Sequence, residues 1–98
     1  MGQTKHDRTA ERIARKERTT YNQGQGPDIQ TPRRAIEVEP ANTIPDGIRQ
    51  LQGFKKPVYI AGADPKATDA AVEATEGTTV GVMSHTGRVV KRSTRGRG

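Results

Sequence analysis

Apolar residues are sparse along this chain, and their spacing changes several times. In TKHDRTAERIARKER, residues 4–18, Ala10, Ile13 and Ala14 stand at helical spacing in a polar background, which predicts a helix with a narrow docking stripe. Residues 19–21 are β-prone, and the chain then becomes loop-like through Gly24, Gly26 and Pro27 before Asp28. In RRAIEVE, residues 33–39, the period becomes two: Ile36 and Val38 point one way, Ala35, Glu37 and Glu39 the other. Pro40 closes that strand. The next segment, NTIPDGIRQLQGF, reads as a helix with Asn42 or Thr43 as cap, Pro45 in the first turn and Gly53 beyond its end. Its core stripe is Ile44, Ile48 and Leu51, and Ile36 and Val38 are expected to pack against Ile48 and Leu51.

KPVYIAG, residues 56–62, forms a compact strand. A second helix follows, with Asp64 as cap, Pro65 at its first position and Gly77 as its stop. Val80 and Val82, the SHTG turn, and Val89 and Val90 then read as a hairpin. The order is helix, strand region, strand, helix, strand, helix, strand pair, which is an α/β domain built on a small mixed sheet flanked by helices. The chain divides into a basic helix at 1–18, an α/β core at 19–92 and a basic, disordered tail at 93–98.

Composition adds two constraints. With 98 residues, 30% hydrophobic and 3% aromatic, the chain buries a thin core, which leaves room for a homodimer. The charge of +6 is uneven: residues 1–18 hold six Lys/Arg against three acids, and residues 88–98 hold five against none. Basic ends suit a polyanion, because each Lys or Arg near a phosphate releases condensed counterions. Nucleic acid is the expected partner, with Arg8, Arg12, Arg15, Lys55, Lys56, Lys91, Arg92 and Arg95 as its contacts. No apolar run approaches the roughly 20 residues of a membrane span, and the N-terminus lacks the apolar centre of a signal peptide. Without cysteine there is no disulfide framework or thiolate metal site, and a cytoplasmic protein is expected.

The acids of GQGPDIQTPRRAIEVE, residues 24–39, pose the chemical question. A carboxylate on the buried side of a strand is costly, so either these acids face solvent or something positive sits between them. If residues 29–32 connect a hairpin, Asp28, Glu37 and Glu39 converge on one face. Hard oxygen donors gathered this way suit Mg²⁺ or Mn²⁺, and such a cation supports phosphodiester hydrolysis. The plainer readings are a turn role for Asp28 and a solvated edge-strand face for Glu37 and Glu39, balanced by Arg33, Arg34 or a lysine. His6 and His85 stand alone in polar contexts, without zinc-site spacing, and are expected to be bystanders. The GQG segment lacks the lysine-serine ending of a phosphate-cradling loop.

GPDI followed by AIEVE resembles the signature of the PD-(D/E)XK nuclease superfamily, the restriction-endonuclease-like fold of Holliday-junction resolvases and RecB-type exonucleases. Pro27 and Asp28 match the first element and Glu37 the acid of the second, whereas Glu39 stands where the family usually has lysine. QLQGF supplies Gln50 and Phe54 in the arrangement of the RecB-type branch, with Phe for the usual Tyr. The resemblance spans residues 4–62. It implies a metal-dependent nuclease or nuclease-like protein with Asp28, Glu37 and Glu11 as metal ligands. Glu39 would be a further ligand or orient water, and Gln50 would position the substrate. Lys55, Lys56 or Arg49 would replace the missing lysine. Glu11 also has a simpler reading as an i,i+4 partner of Arg15. The alternative function is a non-catalytic nucleic-acid-binding or ribonucleoprotein-associated module that uses the basic termini.

Overall fold

The thin apolar stripe of the first helix is what attaches it to the rest of the chain. The computed structural model describes residues 4–22 and 26–96; residues 1–3 of the expected N-terminal segment, residues 23–25 of the glycine loop and residues 97–98 of the expected tail lie outside them. Helix α1 (Lys5–Lys16) is capped by the Thr4 hydroxyl, which accepts from the Asp7 amide, and it buries only Thr9, Ala10, Ile13 and Ala14. Five strands follow: β1 (Ile29–Gln30), β2 (Ala35–Glu39), β3 (Val58–Gly62), β4 (Gly81–Met83) and β5 (Val89–Lys91). They lie in one mixed sheet in chain order, with β2, β3 and β4 parallel and β1 and β5 antiparallel to their neighbours. Helices α2 (Ile44–Gln50), preceded by a 3₁₀ turn at Ala41–Thr43, and α3 (Pro65–Ala74) make the two parallel crossovers. The domain is therefore α/β, with a five-stranded mixed sheet and three helices among the described residues. No described helix is long and apolar enough to cross a membrane.

The local signals act where the sequence places them. Asp64 caps α3 by accepting from the Ala67 amide at 2.8 Å, and Pro65 occupies the first turn, where no N–H is needed. Gly53 and Gly77 take positive φ after α2 and α3. Thr43 precedes α2 but makes no side-chain capping bond; its hydroxyl turns to Glu39. Residues 19–22 form no strand, although the Asn22 amide donates to the Asp28 carbonyl at 2.7 Å and folds this segment back onto β1.

Two cores lie on opposite faces of the sheet, and this corrects the expected partner of β2. Ile36 and Val38 pack with Ala10, Ile13 and Ala14 of α1 and with Ile29, Tyr59 and Met83, not against Ile48 and Leu51. Leu51, with Ile48 at its margin, packs on the other face with Ala35, Val58, Ile60 and Val82. A parallel central strand is covered by helices on both sides, so both of its alternating faces are buried. All five residues of β2 are buried, which removes the reading of Glu37 and Glu39 as a solvated edge.

The described part of the basic tail also departs from expectation, because it is docked. Ser93 is 1% exposed; its hydroxyl accepts from the Val58 amide at 3.2 Å and donates to the Thr79 carbonyl at 2.8 Å. Arg95 donates to the Leu51 carbonyl at 2.6 Å, one of the orphan carbonyls that ends α2.

Candidate functional site

Asp28 immediately precedes β1, and the pairing of Ile29 with Ile36 sets it beside Glu37 at the outer flank of β2. Its Oδ2 accepts from the Val38 amide at 2.8 Å, so the backbone of β2 itself fixes the carboxylate. The same oxygen lies 3.2 Å from Nε2 of His6, which α1 brings across from the other face. The positive group among the acids is thus His6, against its expected role as a bystander. A readable signal existed: His6 stands four residues before Ala10 and seven before Ile13, on the same face of α1. What could not be read was the residue that face would meet.

His6 is held from both ends. Tyr21 Oη is 3.1 Å from its Nδ1 and donates to Asp7 Oδ1 at 3.0 Å. One orientation satisfies every contact: both imidazole N–H groups donate, to Asp28 and to Tyr21, and Tyr21 passes its proton toward Asp7. That requires the imidazolium. The hydrogen bond with Asp28 raises the His6 pKa from 6.5 to about 9, against the opposing effect of burial. Burial and the bond to Asp7 push the Tyr21 phenol upward, and the Tyr21 bond holds Asp7 below the usual carboxylate range.

Glu37 is 3% exposed, and burial followed by the adjacent Asp28 charge raises its pKa from 4.5 to about 8. It therefore keeps a proton at neutral pH, within hydrogen-bonding reach of the Asp28 carboxylate. Its Oε2 is buried and accepts no hydrogen bond from the described residues. Glu39, on the same face, accepts from the Thr43 hydroxyl at 2.5 Å, and burial raises its pKa too. Gly47 permits that contact: a Cβ there would lie 2.6 Å from Glu39 Cγ and 2.9 Å from Ile60 Cδ1. Asp28 and Glu37 are neighbours, and Glu39 lies farther along the same face of β2, turned to Thr43. Among the described residues no group of three or more His, Asp or Glu is close enough to hold a metal ion by itself.

Other expected site residues lie apart. Gln50 is exposed on the last turn of α2. Glu11 lines a cleft with Tyr21, whose phenol its charge helps to raise. Arg49 pairs with Asp46 at 3.0 Å, and Lys56 donates to the Thr31 carbonyl at 2.7 Å, so neither stands in for the missing lysine. Of the expected nucleic-acid contacts, Arg8, Arg15, Lys55 and Arg92 are exposed. Arg12 is exposed but donates to the His85 carbonyl at 3.2 Å. Lys91 is spent on the Thr75 and Val80 carbonyls and Arg95 on those of Leu51 and Phe54. Comparison with known families, curated proteins and solved structures gives no match to this chain.

Proposed function

We propose that the chain is a nuclease-like protein that acts on nucleic-acid phosphodiesters, with a divalent cation, Mg²⁺ or Mn²⁺, held by Asp28 and Glu37. The observation that carries this reading is the pair of carboxyls that the fold sets side by side, Asp28 and the buried Glu37. Two carboxyls this close repel unless a proton or a cation joins them. Two carboxylates fit a cation of this kind, because Mg²⁺ completes its shell with waters and substrate phosphate oxygens. When bound, it lowers the pKa of a water and offsets charge on the phosphoryl group. Glu37 gives up its proton on binding, and Asp28 stays fixed by the Val38 amide. His6 supplies the positive charge that the family takes from lysine, and Glu39, anchored by Thr43, orients the attacking water. The order of helix, acid-bearing antiparallel pair, helix and parallel strand supports the restriction-endonuclease-like likeness.

One observation favours the second reading: His6 already neutralises Asp28, as a structural ion pair in a non-catalytic nucleic-acid-binding module would. Labelled duplex, single-stranded and branched substrates incubated with Mg²⁺ or Mn²⁺ separate the two. Cleavage by the wild type that falls by orders of magnitude in Asp28→Asn, with binding in EDTA retained, is the expected result. Binding without cleavage of any substrate would leave the non-catalytic module in its place.

A further inference from the structure

Away from the acids, the turn that joins β1 to β2 carries Arg33 and Arg34, and two clefts meet there. One, of about 490 Å³, extends to Arg18 just beyond α1. The other, of about 270 Å³, runs over Tyr59 and Val89 to Arg92. Arg18, Arg33 and Arg92 are exposed and have no ion-pair partner among the described residues. Arg34 lies 5.3 Å above the Tyr59 ring and holds Glu17, the one acid in either lining, at 3.4 Å. Val89, 40% exposed, adds an apolar floor.

Arg18 is the second observation. It has φ of 60° at the position that ends α1, where the Thr19 amide closes onto the Ala14 carbonyl and glycine is the usual residue. A side chain there strains the backbone. Arg18 lines the same cleft as Arg33 and Arg34.

We infer that this strip is a second contact surface for a polynucleotide backbone, at the opposite end of the β1–β2 hairpin from Asp28 and Glu37. The inference rests on the nucleic-acid reading above and adds where the chain of phosphates runs. From Arg34 to Glu37 is three residues of strand, about 10 Å at ~3.3 Å per residue. Projected on the axis of a duplex, that is the rise of about three nucleotides of one strand at ~3.4 Å each. Arg34 sits over Tyr59 on the face that α1 covers, whereas Glu37 and Glu39 turn to the α2 face, so a backbone seated on the arginines reaches the acids around the β1 edge of the sheet. Arginine forks match phosphate oxygens in pairs, and a row of four on three elements matches a periodic polyanion better than an isolated acidic side chain.

Anisotropy of a labelled 20-base-pair duplex and a 20-nucleotide single strand, titrated with the full chain in EDTA at rising salt, tests it. In Arg33→Ala/Arg92→Ala, affinity for the duplex should fall at least fivefold, and the slope of log K against log salt should decrease by about 1.8, at ~0.9 per lost phosphate contact. Arg18→Gly should melt no lower than the wild type, because glycine accepts the positive φ, and should still lose about 0.9 of the slope. Unchanged affinity and slope in both variants, while neutralising Arg8, Arg12 and Arg15 weakens binding, would overturn the strip and leave the nucleic-acid reading standing. A wild type that binds neither oligonucleotide would overturn both. Preferential binding of a polyglutamate peptide through the same arginines would overturn the strip in favour of an acidic protein partner.

Discussion

Glu37→Gln keeps the shape of the side chain and a hydrogen-bond donor toward Asp28, but it removes the ionisation. In the unfolded chain the Glu37 carboxyl loses its proton near pH 4.5, whereas in the fold it does so near 8, chiefly because it is buried. Between those values the folded state binds more protons than the unfolded one, so stability falls as pH rises. The contribution is fully present below 4.5 and gone above about 8. At about 1.36 kcal/mol per pKa unit, the rise from 4.5 to about 8 sets a ceiling of about 5 kcal/mol, which Asp28 lowers by sharing the proton. His6 acts in the same direction in a later window: its stabilisation is present below 6.5 and lost as pH rises through about 9. Its ring is a third exposed, so solvent screens that effect to a small fraction. Urea unfolding in EDTA at about pH 5, 7 and 8.5 reads both. The wild type should lose about 2–5 kcal/mol across the range and Glu37→Gln no more than about 1–2 kcal/mol, leaving the variant the more stable protein at the alkaline end. Equal pH slopes for the two proteins would refute a buried, protonated Glu37.

Two further outcomes follow from the same geometry. In an NMR titration the His6 ring should titrate near 9 in the wild type and move down toward 6.5 in Asp28→Asn, because the hydrogen bond with Asp28 is the largest cause of its raised pKa. A titration point that stays put would assign the shift to Asp7 instead. Gly47→Ala should destabilise the fold by about 1–3 kcal/mol, since the new methyl meets Glu39 Cγ at 2.6 Å and overpacking outweighs the gain in helix propensity. Denaturant melts of Gly47→Ala with and without Glu39→Ala should show a coupling above about 0.5 kcal/mol. Strict additivity would mean that Gly47 does not press on Glu39.

What the sequence determined by itself is the set of features that depend on near neighbours in the chain. The stripe of Ala10, Ile13 and Ala14, the alternation in residues 35–39, the Asp64 cap with Pro65 behind it, and the stops at Gly53 and Gly77 are all readable, because periodicity and capping act over a few residues. The shared face of Glu37 and Glu39 follows from the period of two. Only the tertiary structure decided what each face met. The period of β2 defines two faces without saying which helix covers which, and its parallel pairing with β3 buried both, so α1 took Ile36 and Val38 while the glutamates turned toward α2. His6 met Asp28 across 22 residues of sequence. A side chain's charge state is set by its neighbours in space and by the water it loses, so the imidazolium could not be read before α1 was seen to lie across β1 and β2, nor the protonated Glu37 before β2 was seen buried beside Asp28. The docked Ser93 and Arg95 have the same origin: their partners are carbonyls and amides at strand and helix ends, and those groups come within reach only when the chain has closed.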